Sequence, residues 1–343
     1  MKQIFLLLPG ILFINLRSAA QEYNTPVEYM AVISKQQENI SKKYMSYASA
    51  SAHGKNAKKV ESLRLKLMDE VQEARMNIAG LPAFKGDKAL RDTSVGFMKL
   101  YFNILNEDYS KIINMEEIAE QSYDAMEAYM MAQEMVEQKL EEGNEKMKLA
   151  SEKFAARNNV TLIENKSGLD VLMKQFHEVN SYHKGIYLIF FKPYKQEAYM
   201  MEAVEKNNIT GIEQNRNSLL KYAKEGLEKL AVEKPFQGDN SLLNSCKAVL
   251  SFYIMEAGEK MNTVSDYYLT KERFESIKKE YEKKSIHSKD DVNAFNKSVQ
   301  DINAASQAYN STNQTLNKQR DEVLNEWNRS VNTFFDKHTP EYN

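Results

Sequence analysis

Cysteine is nearly absent from this chain: Cys246 is the only one in 343 residues. A single cysteine closes no intramolecular disulfide, and this one lies well away from any leader cleavage site where a lipid would be attached. Glycine (12) and proline (6) are scarce as well, about 5% of the chain against roughly 12% in ordinary globular proteins. Few turn residues leave few turns, so the elements between them must be long. An excess of one charge is missing too, with 46 basic against 48 acidic residues. That balance argues against general nucleic-acid binding, which needs a concentrated positive field to displace counterions. Beyond the first twenty residues no apolar run approaches the ~20 residues that a membrane-spanning helix requires.

The polar remainder is lysine, glutamate, glutamine, asparagine and alanine, which favours helix over strand. A shift of 152 residues lays one stretch on another. Phe84, Gly86, Asp87 and Leu90 fall on Phe236, Gly238, Asp239 and Leu242, while Arg64, Leu67, Tyr101 and Glu107 fall on Arg216, Leu219, Tyr253 and Glu259. One diagonal through identical residue types marks a duplicated unit. The sequence therefore predicts an all-α fold of two tandem antiparallel four-helix-bundle-like repeats with long helices. Residues 21–160 form the first repeat and 161–343 the second, joined near Asn159–Ser167. Helices are expected over Val27–His53, Lys58–Ala79, Asp87–Ile113 and Glu116–Asn158, then Gly168–Lys206, Ile209–Val232, Asp239–Val264 and Thr270–Lys337, the last breaking near Ser285–Asp290.

Residues 1–20 have the pattern of an export signal. Lys2 precedes an apolar run from Ile4 to Leu16, and Ser18-Ala19-Ala20 offers small residues before Gln21. Without Lys2 and Arg17 the chain keeps 44 of its 46 basic residues against 48 acidic ones, a formal −4. Export without a disulfide points to a bacterial envelope more than to a eukaryotic secretory route.

The corner between the second and third helix of each repeat explains the strongest matches. Pro82 and Pro235 stop a helix because proline donates no backbone hydrogen bond. Gly86 and Gly238 permit a tight turn, Asp87 and Asp239 are placed to cap the next helix, and Phe84 and Phe236 can fold back onto the bundle. These six are structural caps; the corner has too few donors or carboxylates for an anion or metal loop.

The C-terminal helix has the cleanest period. Val292, Val299, Ser306, Asn313, Arg320, Trp327 and Phe334 recur every seven residues, with Phe295, Ile302, Tyr309, Leu316 and Val323 between them. Such a seam belongs to long helices packed side by side, and its polar members are of the kind that fix register. The ending Trp327…Phe334-Phe335-Asp336-Lys337-His338-Thr339-Pro340, after an asparagine-rich helix and an export signal, resembles a family of uncharacterised bacterial surface proteins. The resemblance implies an exported, all-helical envelope protein and assigns no functional residue.

Motifs for chemistry fail one by one. His177-Glu178 begins a helical zinc site, but position 181 is serine and His183 lies about 120° round the helix from the first histidine. No histidine has a glutamate three residues before it, so the di-iron bundle pattern is missing. There is no phosphate loop and no Gly-x-Ser-x-Gly elbow. Cys246, beside Leu242, Val249 and Leu250, suits a small core residue, and His183 fits a buried, hydrogen-bonded side chain on an apolar line.

Four other features are weighed. Glu116, Glu117, Glu120, Asp124, Glu127, Glu134, Glu137, Glu141, Glu142 and Glu145 line one helix against Lys139 alone, a pattern of a solvated face more than of calcium binding. Met126, Met130, Met131 and Met135 on that helix suit core filling more than Cu(I). Arg64 and Arg216 are expected to pair inside their bundles with Glu107 and Glu259. Gly185–Tyr194 is apolar on all sides and followed by a kink at Pro193, so burial is expected. Tyr187, Phe190, Phe191 and Tyr194 in it are the candidate partner or ligand surface. No cofactor or metal is called for. The expected role is an exported, non-catalytic scaffold or interaction protein of the bacterial envelope, periplasmic, surface-bound or released, whose partner is an unidentified envelope or surface component. The alternative is a carrier holding an apolar small molecule between helices near those four aromatics.

Overall fold

The structure, a computed structural model of the chain, describes residues 23–54, 56–108, 119–163 and 168–342. The expected signal peptide, Glu116 and Glu117 and residues 164–167 of the Asn159–Ser167 joint lie outside the described residues. Among the described residues the fold is all-helical, without a strand: α1 Pro26–Ala52, α2 Ala57–Ala79, α3 Ala89–Asn103, α4 Tyr123–Arg157, α5 Gly168–Glu205, α6 Ile209–Val232, α7 Ser241–Met255, α8 Met261–Glu282 and α9 Lys289–His338. Two π-helical turns, π1 at Ile104–Asp108 and π2 at Glu256–Lys260, follow α3 and α7 without a break. α6, α7 and π2 each begin 152 residues after α2, α3 and π1.

Local chemistry sets the ends. Thr25 caps α1 through a reciprocal box, its Oγ1 accepting from the Glu28 N–H while its own N–H donates to Glu28 Oε2, and Pro26 holds the first helical position. Asparagine, poor inside helices, works at their ends. Asn56 and Asn208 cap α2 and α6, and Asn159 and Asn207 take φ near +50° just beyond α4 and α5.

One expected boundary is corrected. The helix expected to end at Val264 runs on: α7, π2 and α8 are continuous to Glu282. Tertiary bonds pin the stretch that looked like a break, with Ser265 Oγ donating to Glu213 Oε1 at 2.5 Å and the Tyr268 hydroxyl to the Val204 carbonyl at 2.9 Å. α5 runs through Pro193 to Glu205, close to the expected span of Gly168–Lys206. Ile186, Tyr187, Phe190 and Phe191 are buried just before it, so apolar packing outweighs one missing hydrogen bond.

By packing, the described residues form two compact units. Unit 1 comprises residues up to Tyr182 together with Phe334–Asn343, and unit 2 comprises His183–Thr333. This division follows contacts and differs from the sequence boundary near 160. The core of unit 1 includes Tyr29, Ile40, Tyr44, Met45, Leu67, Phe97, Tyr101 and Phe154; that of unit 2 includes Phe191, Leu219, Cys246, Leu250 and Tyr253. The terminal segment belongs to unit 1, with Phe334, Phe335, His338 and Thr339 buried. Gln175 Nε2 donates to the His338 carbonyl at 2.7 Å, the Tyr342 N–H donates to Ser49 Oγ at 3.0 Å, and Asp336 meets His53 Nδ1 at 3.1 Å. No helix among the described residues is long and apolar enough to cross a membrane.

Candidate functional site

The capping residues stand in two near-identical turns. At the first, Phe84 and Asp87 exchange backbone hydrogen bonds of 3.0 and 2.9 Å around Lys85 (φ 49°) and Gly86 (φ 84°). Asp87 Oδ1 then accepts from the Ala89 N–H at 2.8 Å and Oδ2 from Arg157 at 3.0 Å. At the second, Gln237 (φ 50°) and Gly238 (φ 85°) repeat the backbone, and Asp239 Oδ1 accepts from the Ser241 N–H at 2.8 Å. Both aspartates thus sit one residue before the N-cap and serve the first N–H of the helix. The rings differ in setting. Phe84 is buried with centroids 5.4 Å from Tyr29 and from Phe154, whereas Phe236 is half-buried.

Three of the four aromatics named as the candidate partner or ligand surface are interior residues of unit 2, in line with the burial expected of their segment. Tyr187, Phe190 and Phe191 are buried, Phe190 stacks on Trp327 at 4.4 Å and Tyr187 on Phe191 at 5.5 Å; only Tyr194 reaches the edge, 36% exposed. An open depression of about 360 Å³ lies in unit 1, lined by Tyr23, Asn24, Tyr29 and Pro82–Lys85. The Tyr29 hydroxyl there already donates to the Pro82 carbonyl, and Lys85 Nζ lies 5.4 Å from the Phe84 ring centroid.

The expected arginine pairs are corrected. Arg64 takes Glu61, three residues back on its own helix, at 2.7 Å, and donates to the Leu105 carbonyl at 2.8 Å. Arg216 takes Glu213 at 3.3 Å and the Asn262 side chain. Glu107 and Glu259 are exposed. A partner one helical turn away needs no long-range fit.

Unit 2 instead holds a buried ionic cluster. Glu197 projects from α5, Glu256 opens π2 and Arg320 comes from the seam of α9. Arg320 Nε lies 2.6 Å from Glu197 Oε1 as an ionic contact, its N–H not aligned on the oxygen; Nη2 bonds Glu256 and Nη1 bonds Asn317 at 2.6 Å. Glu197 is 5% exposed and Glu256 0%. Burial, reinforced by the Glu197 charge and opposed by Arg320, raises Glu256 to about 7; burial also raises Glu197. Burial works against the Arg320 charge, yet the two carboxylates hold its pKa up. Tyr253 is fully buried beside them, and burial and both acids raise its hydroxyl well above the usual range.

None of this cluster stood out as a site in the sequence, where Arg320 marked only a polar seam. A signal was present: on the 152-residue diagonal Glu197 and Glu256 replace Met45 and Ile104, both buried in unit 1, while tyrosine is kept at 101 and 253. Two acids at positions that are apolar in the matching stretch point to an internal counter-charge.

The remaining candidates are inert or dispersed. Cys246 is fully buried and burial pushes its thiol to about 12, far from thiolate chemistry. Burial lowers His183 to about 4, neutral at ordinary pH. Met126 and Met130 are buried but Met131 and Met135 are about 60% exposed, so the four sulfurs do not converge. Among the described residues no three His, Cys, Asp or Glu side chains are placed to share a metal ion. Comparison with family models, curated proteins and solved structures finds no match to this chain.

Proposed function

We propose that the chain is an exported, non-catalytic helical scaffold of the bacterial envelope, built from two tandem four-helix-bundle-like repeats, and that it binds an envelope component through α9. The observation that carries this reading is α9 itself. Over its 50 residues, Ser298, Leu316, Trp327, Ser330, Phe334, Phe335 and His338 are buried, while Asn303, Gln307, Asn310 and Gln314 form an exposed, uncharged polar line. A helix so long, apolar along one stripe only, offers a continuous polar face to a partner. The shared 152-residue spacing of helices, π turns and corner turns supports the duplication. The export signal and the C-terminal resemblance support the envelope. The Phe190–Trp327 stack weighs against the carrier, because the aromatic segment is already filled.

The test is co-sedimentation of the folded chain with isolated bacterial envelopes, beside a variant with Asn303, Gln307, Asn310 and Gln314 all replaced by glutamate. The reading expects binding by the native chain and at least a tenfold loss in the variant with unchanged helical content. No binding by the native chain, or equal binding by both, rejects it.

A further inference from the structure

The cluster on α9 contains one acid too many. Glu197, Glu256 and Arg320 bring two carboxyl groups and one guanidinium into the interior of unit 2. Glu256 Oε2 and the Tyr253 hydroxyl are buried and meet no hydrogen-bond partner among the described residues. Charges on the other elements packed against π2 are committed elsewhere. On α6, Glu213 and Arg216 pair with each other and bond Ser265 and Asn262 of α8. Glu259 and Lys260 of the turn itself and Asp266 of α8 are exposed, and the Tyr194 phenol of α5 adds to the rise of the Tyr253 hydroxyl. With both acids ionised, the cluster would hold a net −1 out of water, a cost that proton binding removes.

We propose that Glu197 and Glu256 hold one proton between them in folded unit 2, forming a proton-operated latch: with the proton in place the cluster stays dry and closed around Arg320, and loss of the proton favours openings of unit 2 that bring both carboxyls into water. Interacting acids titrate as a pair, and the raised Glu256 value is that of an acid that keeps its proton in the fold. The sign follows. The folded cluster binds the proton more tightly than an unfolded carboxyl does at about 4.5, so the stabilisation is complete below that pH. It is lost as pH rises to about 7, and above that neither state carries the proton and the loss levels off. The matching positions of unit 1 hold Met45 and Ile104, which carry no proton to titrate.

Hydrogen exchange of the full chain along α9 around Arg320, corrected for intrinsic rates, reads the latch. The opening constant should rise about tenfold per pH unit from pH 5 to 7 and flatten by pH 8. Glu256→Gln, whose amide stays neutral, should lack this rise. Infrared spectroscopy of the native chain, with Glu197→Gln as a second comparison, should show a protonated carboxyl band that disappears near pH 7; this holds the proposal to account if Glu256→Gln fails to fold. Equal slopes in the native chain and Glu256→Gln, or loss of the last carboxyl band below pH 5, would overturn it.

Discussion

Arg320 Nε lies 2.6 Å from Glu197 Oε1, joining α9 to α5 inside unit 2, and the same guanidinium also bonds Glu256 of π2. Removing one member of a buried ionic group strands the others. Arg320→Met should therefore cost about 3–5 kcal/mol in urea unfolding. Replacing all three with apolar residues, Glu197→Met and Glu256→Ile after the residues at the matching positions together with Arg320→Met, should restore native stability or exceed it. A triple variant weaker than Arg320→Met alone would show that the cluster is not the source of the loss.

Gly86 and Gly238 share φ near 85°, and a Cβ at either would meet nothing within 4 Å. The cost of alanine is then a backbone cost alone, about 1 kcal/mol at each site. Chemical denaturation of Gly86→Ala and Gly238→Ala should give equal losses, because the two glycines share the same φ and the same open surroundings. A loss confined to one would mean that the turns are not equivalent.

Asp87 is held below the usual carboxylate range, first by the Ala89 N–H and then by Arg157. A depressed folded pKa stabilises above the unfolded value, and that stability disappears as pH falls through the folded one. Asp87→Ala should cost about 1 kcal/mol at pH 7, discounted for solvent screening of the Arg157 contact. The difference from the native chain should shrink steadily below pH 3.8. A gap independent of pH would assign the effect to packing.

Trp327 is the only tryptophan, is 3% exposed and stacks on Phe190. Its fluorescence should be blue-shifted in the folded chain and move to the red on unfolding of unit 2. Trp327→Ala should cost about 3–5 kcal/mol, and the apolar cavity it leaves should bind a small aromatic such as benzene, visible by calorimetry. Binding of equal strength by the native chain would mean that the segment is open from the start.

How far the sequence reached depended on the range of the physics. α6 was readable at both ends, because Asn208 and the apolar period are local signals. The continuity of α7 into α8 was not, since Ser265 looks like a breaker until Glu213 is known to receive its hydroxyl. Arg64 was matched with a distant acid when Glu61, one turn back, was enough. Glu197 and Glu256 resembled ordinary solvated acids on long helices; only the approach of Arg320 from far along the chain makes them interior. Burial of Tyr187, Phe190 and Phe191 was legible in an all-apolar segment, but that Trp327 covers them was not.

Native mass spectrometry of residues 21–343, purified after export from a bacterial host, tests the scaffold reading most directly. The account expects the mass of the bare polypeptide or of a whole-number oligomer. A stoichiometric small-molecule adduct that survives desalting would contradict it and make the protein a carrier.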